Sequence, residues 1–157
     1  MKLLFLLYFL LLFLVTSLFS EDGVVSIGNL NWMKCNAGES TDCTGEAIRL
    51  EWKDAIEYCN KLSLGKKKWR LPRLHELRSL ITCTGGEVPE YRTRCGKENK
   101  IKPTISIDLF PSTQKGLYWA SDPRKNDNYY AEFVDFKDGF SNYNAITAKS
   151  LVRCVSP

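Results

Sequence analysis

Residues 69–81 read WRLPRLHELRSLI, and this stretch carries the clearest local signals in the chain. Leu71 precedes a proline, which disfavours helical geometry, whereas Pro72 can stand at a helix start because its missing N–H is not needed there. The apolar residues that follow recur at three- and four-residue spacing: Leu74, Leu77, Leu80 and Ile81. We predict an extended segment, a proline and a short amphipathic helix that together form a rigid corner. Such a helix needs an apolar surface to cover, so the rest of the chain should supply a sheet.

The corner is expected to be structural rather than functional. Arg70 is a candidate partner of Glu76, because a buried cation must be paired. His75 is the only histidine of the chain, and we expect it to face solvent without a catalytic role. The residues assigned to this structural corner are Trp69, Arg70, Leu71, Pro72 and Glu76.

The N-terminal residues resemble an export signal. Residues 3–15 are all apolar, Lys2 precedes them, and Ser20 offers a small residue at a plausible cleavage point. We therefore predict a signal peptide at 1–20 and a single domain at 21–157, with an uncleaved membrane anchor as the alternative. The protein would be exported to the cell surface, the periplasm or the medium, without membrane insertion once the leader is cleaved.

Six cysteines follow the leader. An even number in an exported chain predicts three disulfides, although spacing alone leaves the connectivity open. Pairing Cys35 with Cys43 would close a polar loop, and pairing Cys83 with Cys95 would close a second one. Zinc is the competing interpretation, but the chain has no C-x-x-C spacing and a single histidine, so we predict no metal site. The six residues are Cys35, Cys43, Cys59, Cys83, Cys95 and Cys154.

Charge is concentrated in the middle of the chain. Residues 61–102 contain twelve Lys/Arg against four Asp/Glu, whereas residues 21–60 contain three against eight, and residues 103–157 contain six of each. If the lysine run and the later loop converge, they form a cationic face. Such a face would bind anionic ligands, and the binding would weaken as the salt concentration rises. The competing interpretation is an ordinary solvated surface. The candidate residues are Lys66, Lys67, Lys68, Arg92, Arg94, Lys97, Lys100 and Lys102.

The remaining patterns predict short strands and one further helix. Cys59 would lie on the buried face of that helix, so its partner should lie in a core strand. The helix should end near Gly65, and Trp32 should turn into the core. The predicted elements are a hairpin over Val24–Cys35 with a Gly28-Asn29 turn, a helix over Glu51–Leu62, and strands over Leu117–Ala120 (broken by Ser121-Asp122-Pro123), Tyr130–Phe136 and Ser150–Val155, with a hairpin signal at Lys137–Phe140.

The sequence also contains candidate residues for binding calcium and for stacking on sugar rings. The polar loop Asp122–Asn128, with Asp135 and Asp138 downstream, could hold calcium, but its spacing matches no EF-hand, so we predict no cofactor. Tyr129 and Tyr130 could stack on sugar rings, although one of them should face inward in an alternating strand. A second histidine, a free cysteine and a G-x-S-x-G elbow are all missing from the sequence, so nucleophilic catalysis has no basis and we predict a non-enzyme.

An ordered set of motifs spans the predicted mature chain. It resembles the Lcl C-terminal domain family, named from the end domain of a collagen-like bacterial adhesin. The motifs are Trp32-Met33-Lys34-Cys35, Ala55-x-x-Tyr58-Cys59, Trp69-Arg70-Leu71-Pro72, Glu76-Leu77-x-Ser79-Leu80, Phe110-Pro111, Tyr118-Trp119-Ala120-Ser121, Val134-Asp135-Phe136-x-x-Gly139 and Val152-Arg153-Cys154-Val155.

The resemblance implies an α+β fold like those of C-type lectins and formylglycine-generating enzymes. Two helices would pack on a twisted, mostly antiparallel sheet with long disulfide-pinned loops. It also implies a Cys59–Cys154 bond, which leaves Cys35–Cys43 and Cys83–Cys95 as local bridges. Arg73 departs from the family, which usually has a Ser or Thr helix cap after the proline, so that cap is either missing or supplied by another residue.

The resemblance and the basic segment together suggest an exported lectin-like binding module. It would be a bacterial surface adhesin that recognises anionic polysaccharides of the glycosaminoglycan type or extracellular-matrix proteins. Export argues against nucleic acid as the primary ligand, and trimers in the related adhesin suggest a homo-oligomer. The alternative is a non-catalytic structural or assembly subunit of an envelope protein complex.

Overall fold

The computed structural model describes residues 22–157, so the predicted signal peptide at 1–20 lies outside the described residues. The helices are α1 (Trp52–Lys61) and α2 (Leu74–Arg78). The strands are β1 (Val24–Ile27), β2 (Leu30–Met33), β3 (Leu117–Arg124), β4 (Asp127–Asp135), β5 (Phe140–Ala145) and β6 (Val155–Ser156). The fold is α+β, with three disulfides. Over these residues, neither helix has the length and hydropathy needed to cross a bilayer.

The sheet is divided in two, where the sequence led us to expect one. One sheet has the order β1-β2-β6 and the other has the order β3-β4-β5, and every strand pair within them is antiparallel. The predicted N-terminal hairpin is confirmed: β1 pairs with β2 across a turn in which Gly28 has a φ of 57°. That left-handed conformation is one that glycine adopts without strain. Trp32 is 1% exposed, as predicted.

The β3–β4 hairpin is longer than the sequence suggested. We expected β3 to stop before Ser121 and a polar loop to span residues 122–128, and both expectations were wrong. The register shifts between Trp119 and Pro123 and again between Pro123 and Arg124, an irregularity of the bulge type, and β3 continues through it to Arg124. A bulge absorbs extra residues and can accommodate a proline that cannot donate to the ladder, so the strand survives the Ser-Asp-Pro sequence. The predicted turn at Lys137–Phe140 is confirmed between β4 and β5.

The C-terminal segment also differs from the prediction of a single closing strand over Ser150–Val155. Ser150 pairs with Leu50, Leu151 pairs with Tyr118, and only Val155–Ser156 form a regular strand. Val155 pairs with Trp32 of β2 and also forms a bridge with Arg70. The segment changes partner every few residues because it runs through the buried region between the two sheets. Its backbone hydrogen bonds therefore connect the two sheets and the corner.

The inner part of the β3-β4-β5 sheet, where Tyr118 and Trp119 of β3 pair with β4, is buried on both faces. Tyr118 and Val134 belong to a cluster that also contains Trp32 and Leu77. Their neighbours in sequence, Trp119 and Phe133, belong to a second cluster with Ala55, Cys59 and Trp69. Side chains alternate between the faces of a strand, so adjacent residues enter different clusters. Two apolar clusters with the sheet between them form the interior of residues 22–157.

Both helices form where the apolar spacing predicts, within a few residues. Helix α1 buries Ala55 and Cys59, and the Trp52 indole N–H donates to the carbonyl of Ala120 in β3 (2.8 Å). Helix α2 ends at Arg78, so it is shorter than its apolar stripe. Leu80 and Ile81 are nevertheless buried, because turns after the helix keep them on the same side.

The missing Ser/Thr cap of α2 is replaced by two carboxylates. Glu76 Oε2 accepts the backbone N–H of Arg73 (2.7 Å), and Asp122 Oδ2 accepts that of Leu74 (2.6 Å). Asp122 comes from β3, so the tertiary contact supplies what the local sequence lacks. The first N–H groups of a helix need such acceptors because they have no partner within the helix.

The corner contains the ion pair that the sequence suggested. Arg70 donates from Nη1 to Glu76 Oε2 (2.7 Å) and from Nη2 to Glu76 Oε1 (2.6 Å), a bidentate arrangement. Arg70 and its hydrogen bonds to Glu76 lower the pKa of that carboxyl below its usual range. Trp69 and Leu71 are buried on either side, so the pair connects the extended segment to the helix.

Changing Glu76 to Gln is expected to destabilise the protein by about 1–3 kcal/mol at neutral pH, since it removes charged acceptors from Arg70 and from the N–H of Arg73. Because the folded-state pKa is depressed, this stabilisation is present above the unfolded value of about 4.3 and is lost as the pH falls through the folded pKa. Urea unfolding at pH 7 and at pH 3 measures the difference. The difference in free energy of unfolding between wild type and variant should be smaller at pH 3 than at pH 7. An equal difference at the two pH values would contradict the ion-pair explanation.

The three disulfides have the pairs that the family resemblance implied. Cys35–Cys43 and Cys83–Cys95 close loops with sequence separations of 8 and 12. Cys59–Cys154 has a separation of 95 and joins α1 to the C-terminal segment. Both sulfurs of the long-range bond are fully buried, beside Trp119 and Val152 in the second apolar cluster.

One buried charge was not anticipated. The guanidinium of Arg153 is 0% exposed and donates to the carbonyls of Met33 (2.6 Å) and Lys34 (2.5 Å) and to Thr113 Oγ1 (2.9 Å). Its carbon lies 4.5 Å from the centre of the Phe110 ring. No ion pair with Arg153 is present in the part of the chain that the structure describes. Burial lowers its pKa, although arginine stays charged at neutral pH.

Candidate binding surface

The outer end of the β3-β4-β5 sheet carries a cluster of stacked arginines and tyrosines, which we call the arginine–tyrosine platform. Arg124 and Tyr130 come from the β3–β4 hairpin, and Tyr143 comes from β5. Tyr91 and Arg92 come from the loop closed by the Cys83–Cys95 disulfide. The platform therefore combines residues from three strands and a disulfide loop.

The aromatic rings and the guanidinium groups of the platform alternate in space. The guanidinium carbon of Arg124 lies 4.0 Å from the ring centre of Tyr143 and 5.6 Å from that of Tyr130. The guanidinium carbon of Arg92 lies 5.0 Å from Tyr143 and 5.3 Å from Tyr91. Tyr143 is thus shared by both arginines. Cation–π contacts of this kind hold a long, flexible side chain over a ring while the edge of its guanidinium stays able to donate.

Part of the platform remains open to solvent. Tyr91 is 39% exposed and Tyr130 is 36% exposed, while Arg92 is also exposed. The Tyr91 hydroxyl donates to Glu132 Oε2 (2.7 Å), which fixes the ring at the edge of the platform. Burial of the hydroxyl, together with this bond to Glu132, raises the pKa of Tyr91 to about 12. The phenol is therefore neutral at physiological pH and adds no negative charge beside the arginines.

The disulfide loop is attached to β5 and the turn before it. The backbone N–H of Arg92 donates to the Ser141 carbonyl (3.1 Å), and that of Cys95 donates to the Asp138 carbonyl (2.9 Å). Arg78 of α2 donates to Ser141 Oγ and to the Pro89 carbonyl (2.5 Å). These bonds hold the loop at a defined position on the sheet.

Arg94 strengthens the same attachment. Its Nε donates to Asp138 Oδ2 (2.7 Å), and its guanidinium carbon lies 4.4 Å from the Phe140 ring centre. Gly139 makes room for the loop, because a Cβ there would lie 2.9 Å from Cys95 Sγ. Arg94 is therefore both a predicted ligand contact and a residue that holds the loop in place.

The two halves of the predicted basic set belong to different segments of the chain. Lys66, Lys67 and Lys68 lie between Leu64 and Trp69, whose indole N–H donates to the Leu64 carbonyl (2.7 Å). The other residues belong to the disulfide loop beside β5 or to the segment after it. All of them are exposed except Lys67, which is half-buried. Arg92 and Arg94 belong to the disulfide loop, and Lys97, Lys100 and Lys102 belong to the segment after it.

Tyr129 and Tyr130 do not divide between interior and solvent as we expected. Tyr129 is 78% exposed, and Tyr130 contacts Arg124 and the edge of Tyr143 (ring centres 5.6 Å apart) rather than an apolar core. The expectation that one ring is buried was wrong. Residues 130–135 do form part of β4, as their alternating pattern predicted. The β3–β4 hairpin extends beyond the two apolar clusters at its outer end, so no apolar core covers either tyrosine there.

The carboxylates considered for calcium are each engaged in other contacts. Asp122 caps α2, Asp127 pairs with Arg124 (3.5 Å), and Asp138 pairs with Arg94. Asp135 Oδ1 accepts the N–H of Lys137 (2.8 Å), and burial raises the pKa of Asp135. Among residues 22–157, the one group of potential metal ligands is Cys35, Glu39 and Cys43, whose two sulfurs form a disulfide and cannot act as thiolates.

Sequence reasoning identified some members of the platform but not their association. Arg92 was in the predicted basic set and Tyr130 was named as a stacking residue, while Tyr91, Arg124 and Tyr143 were not singled out. Three tyrosines and two arginines spread over a loop and three strands are a weak local signal. Only the pairing of β4 with β5 and the docking of the disulfide loop bring them together.

The sequence matches the Lcl C-terminal domain family over residues 26–156. No curated protein matches the chain. The three disulfides and the family match fit a bacterial extracellular protein. Because the match covers nearly all of the residues that the structure describes, the chain belongs to the Lcl C-terminal domain family.

Proposed function

We propose that the protein is an exported, non-catalytic binding module of lectin-like fold, and that it acts as a surface adhesin for anionic glycans of the glycosaminoglycan type or for extracellular-matrix proteins. The observation that carries the proposal is the solvent-accessible arginine–tyrosine platform. Tyr91 and Arg92 of the platform lie in the loop closed by Cys83–Cys95, which contacts the sheet end, and three exposed lysines follow that loop in sequence.

The chemistry of the platform suits a sulfated or carboxylated sugar. Guanidinium groups donate bidentate hydrogen bonds to sulfate and carboxylate, and tyrosine faces accept the apolar face of a pyranose ring. The stacking of Arg92 and Arg124 on Tyr143 reduces the side-chain entropy lost on binding. Lys97, Lys100 and Lys102 add point charges along the same segment, which favours a polymer with repeated anions.

Heparin affinity chromatography tests the proposal. The protein should be retained and should elute with moderate salt, because the contacts are screened electrostatic ones. Changing Arg92 and Arg124 to Ser should lower the eluting salt concentration clearly, and changing Lys66, Lys67 and Lys68 to Ser tests the other half of the basic set separately. The matched control replaces two exposed lysines outside the surface, Lys53 and Lys149, with Ser.

The outcomes separate the two parts of the proposal. Retention that depends on Arg92 and Arg124 but not on the control lysines supports the platform. Equal losses in all variants would mean that only net charge matters, and unchanged retention in all of them would remove the site. Arg94 is left intact in these variants, because its ion pair with Asp138 also holds the loop.

A structural or assembly subunit of an envelope complex is the second candidate. Ile107 is 57% exposed and Leu109 is 43% exposed within an irregular segment, so the protein has apolar side chains available for a protein partner. Absence of heparin retention in the wild type, together with self-association in light scattering, would favour this function. A homo-oligomer would also multiply weak glycan contacts, so oligomeric state should be measured for both candidates.

A further inference from the structure

A separate cleft lies between α1 and the corner, away from the arginine–tyrosine platform. It has a volume of about 380 Å³. Ile56 and Asn60 of α1 line it, together with Arg73 and His75 at the start of α2 and Ser121 of β3. The volume is near the lower end of the about 300–1,000 Å³ of small-molecule sites, so one sugar unit is a better fit than an oligosaccharide.

Several polar groups in the cleft have no structural role of their own. Across residues 22–157, the side chains of Asn60, His75 and Ser121 donate or accept no hydrogen bond that would hold them to the rest of the fold, and the Arg73 side chain contacts only the backbone of Glu76 in the first turn of α2. Ser121 lies between Trp119 and Pro123, where the register of β3 shifts, and a bulge-type irregularity can redirect a side chain relative to a regular strand. The amide, guanidinium, imidazole and hydroxyl groups thus remain available to a ligand.

The charge of the cleft favours an anion. Arg70 and Glu76 also line it, but their bidentate pair leaves no net charge between them. Arg73 is exposed and forms no ion pair in the described part of the chain, so it is the cation that remains. Ile56 adds a half-buried apolar surface against which a ring could pack.

We propose that this cleft binds a single anionic pyranose unit, a uronic acid or a sulfated hexose at the end of a glycan chain. Arg73 would bind the anionic group, Asn60 and Ser121 would bind ring hydroxyls, and Ile56 would contact the apolar face of the ring. The ligand class rests on the proposed function, whereas the site itself does not overlap the platform. The protein would then recognise the chain end in the cleft and the repeated charges on the platform.

His75 makes the test direct, because it is the only histidine of the chain and lines the cleft. Its ring Cε1–H signal in the NMR spectrum of the purified, tag-free protein is a unique reporter. Sodium glucuronate, glucose 6-sulfate and glucose are titrated separately at constant pH and ionic strength. At least one anion should give a saturable shift with an affinity about tenfold or more above that for glucose, the effect of one charge-assisted contact. The anion that binds identifies the group recognised.

Two variants test the assignment of residues. Arg73→Ser should weaken binding of the anion by about tenfold or more, and Asn60→Ala should weaken it by a smaller factor. Lys53→Ser removes an exposed cation from the same helix as Asn60, and it should leave the titration unchanged. All three positions are exposed, so the variants should fold normally, which amide NMR spectra verify.

The failure of this inference and the failure of the proposed function give different results. If neither anion produces a saturable shift, or if Arg73→Ser shifts as the wild type does, the cleft is not an anionic-sugar site, whatever the heparin column shows. If the anions bind at His75 but heparin is not retained, the cleft stands and the platform proposal fails. Heparin retention of Arg73→Ser close to the wild-type value would confirm that the two sites act separately.

Discussion

Replacing Arg153 with Met is expected to destabilise the protein by about 3–5 kcal/mol, one of the two largest effects of the substitutions considered. The guanidinium satisfies the carbonyls of Met33 and Lys34 and the hydroxyl of Thr113 in a region without solvent access. Methionine is unbranched and fills the space of the arginine stem, but it is shorter than arginine and donates nothing. Each buried acceptor left without a donor costs about 1–3 kcal/mol. The sum is a large fraction of a typical domain stability of about 5–15 kcal/mol.

The effect should also depend on the shape of the guanidinium and not only on its charge. Arg153→Lys keeps the cation but loses the fork that reaches two carbonyls and Thr113 at once, so it should also destabilise, by less than Met. Arg49→Met, at an exposed arginine, is the matched control and should change stability little. Urea denaturation midpoints measure all three. A midpoint for Arg153→Met close to that of the control would mean that the buried hydrogen bonds contribute little.

The double change Cys59→Ala and Cys154→Ala is expected to cost about 4–5 kcal/mol. The bond closes a loop with a sequence separation of 95, and the chain-entropy estimate of disulfide stabilisation grows with loop length. Loss of two buried sulfurs from the cluster around Trp119 adds a packing cost. Alanine is preferred to serine here because a buried hydroxyl would introduce a separate polar penalty.

The local bridge Cys35–Cys43 provides the comparison. Its sequence separation is 8, so the corresponding Cys→Ala pair should cost about 2.5 kcal/mol in the same treatment. Thermal or urea unfolding of the two double variants, each with the other bridges intact, measures the difference. If the two variants are destabilised equally, loop length does not control the stabilisation, and native-state strain or enthalpy must dominate instead.

Much of the local structure could be predicted from short-range signals. The helix around Ala55 and Cys59, the N-terminal hairpin and the turn at Lys137–Phe140 are confirmed, because apolar spacing and turn residues act over a few positions. The ion pair of Arg70 and Glu76 could be anticipated for the same reason. It joins residues six apart across a corner whose bend is imposed by Pro72.

Elements that depend on distant partners were predicted less well. Strand β3 continues past Pro123 because it stays paired with β4 on both sides of the register shift. The sequence of β3 alone does not indicate the register of its pairing with β4. The segment after Ser150 changes partner between Leu50, Tyr118 and Trp32, so its own pattern could not indicate one strand. The arginine–tyrosine platform is of the same kind, because its members are joined only by strand pairing and loop docking.

The amino-acid sequence by itself determined the α+β class, the corner at Pro72, the even set of cysteines and the family to which the chain belongs. These follow from spacing over a few residues and from ordered motifs, which do not require knowledge of distant contacts. Only the tertiary structure decided the division into two sheets, the burial of Arg153, the stacking of two arginines on Tyr143 and the cleft beside Arg73. Each of these depends on side chains from segments far apart in sequence, and their proximity is set by packing of the whole domain rather than by any local preference.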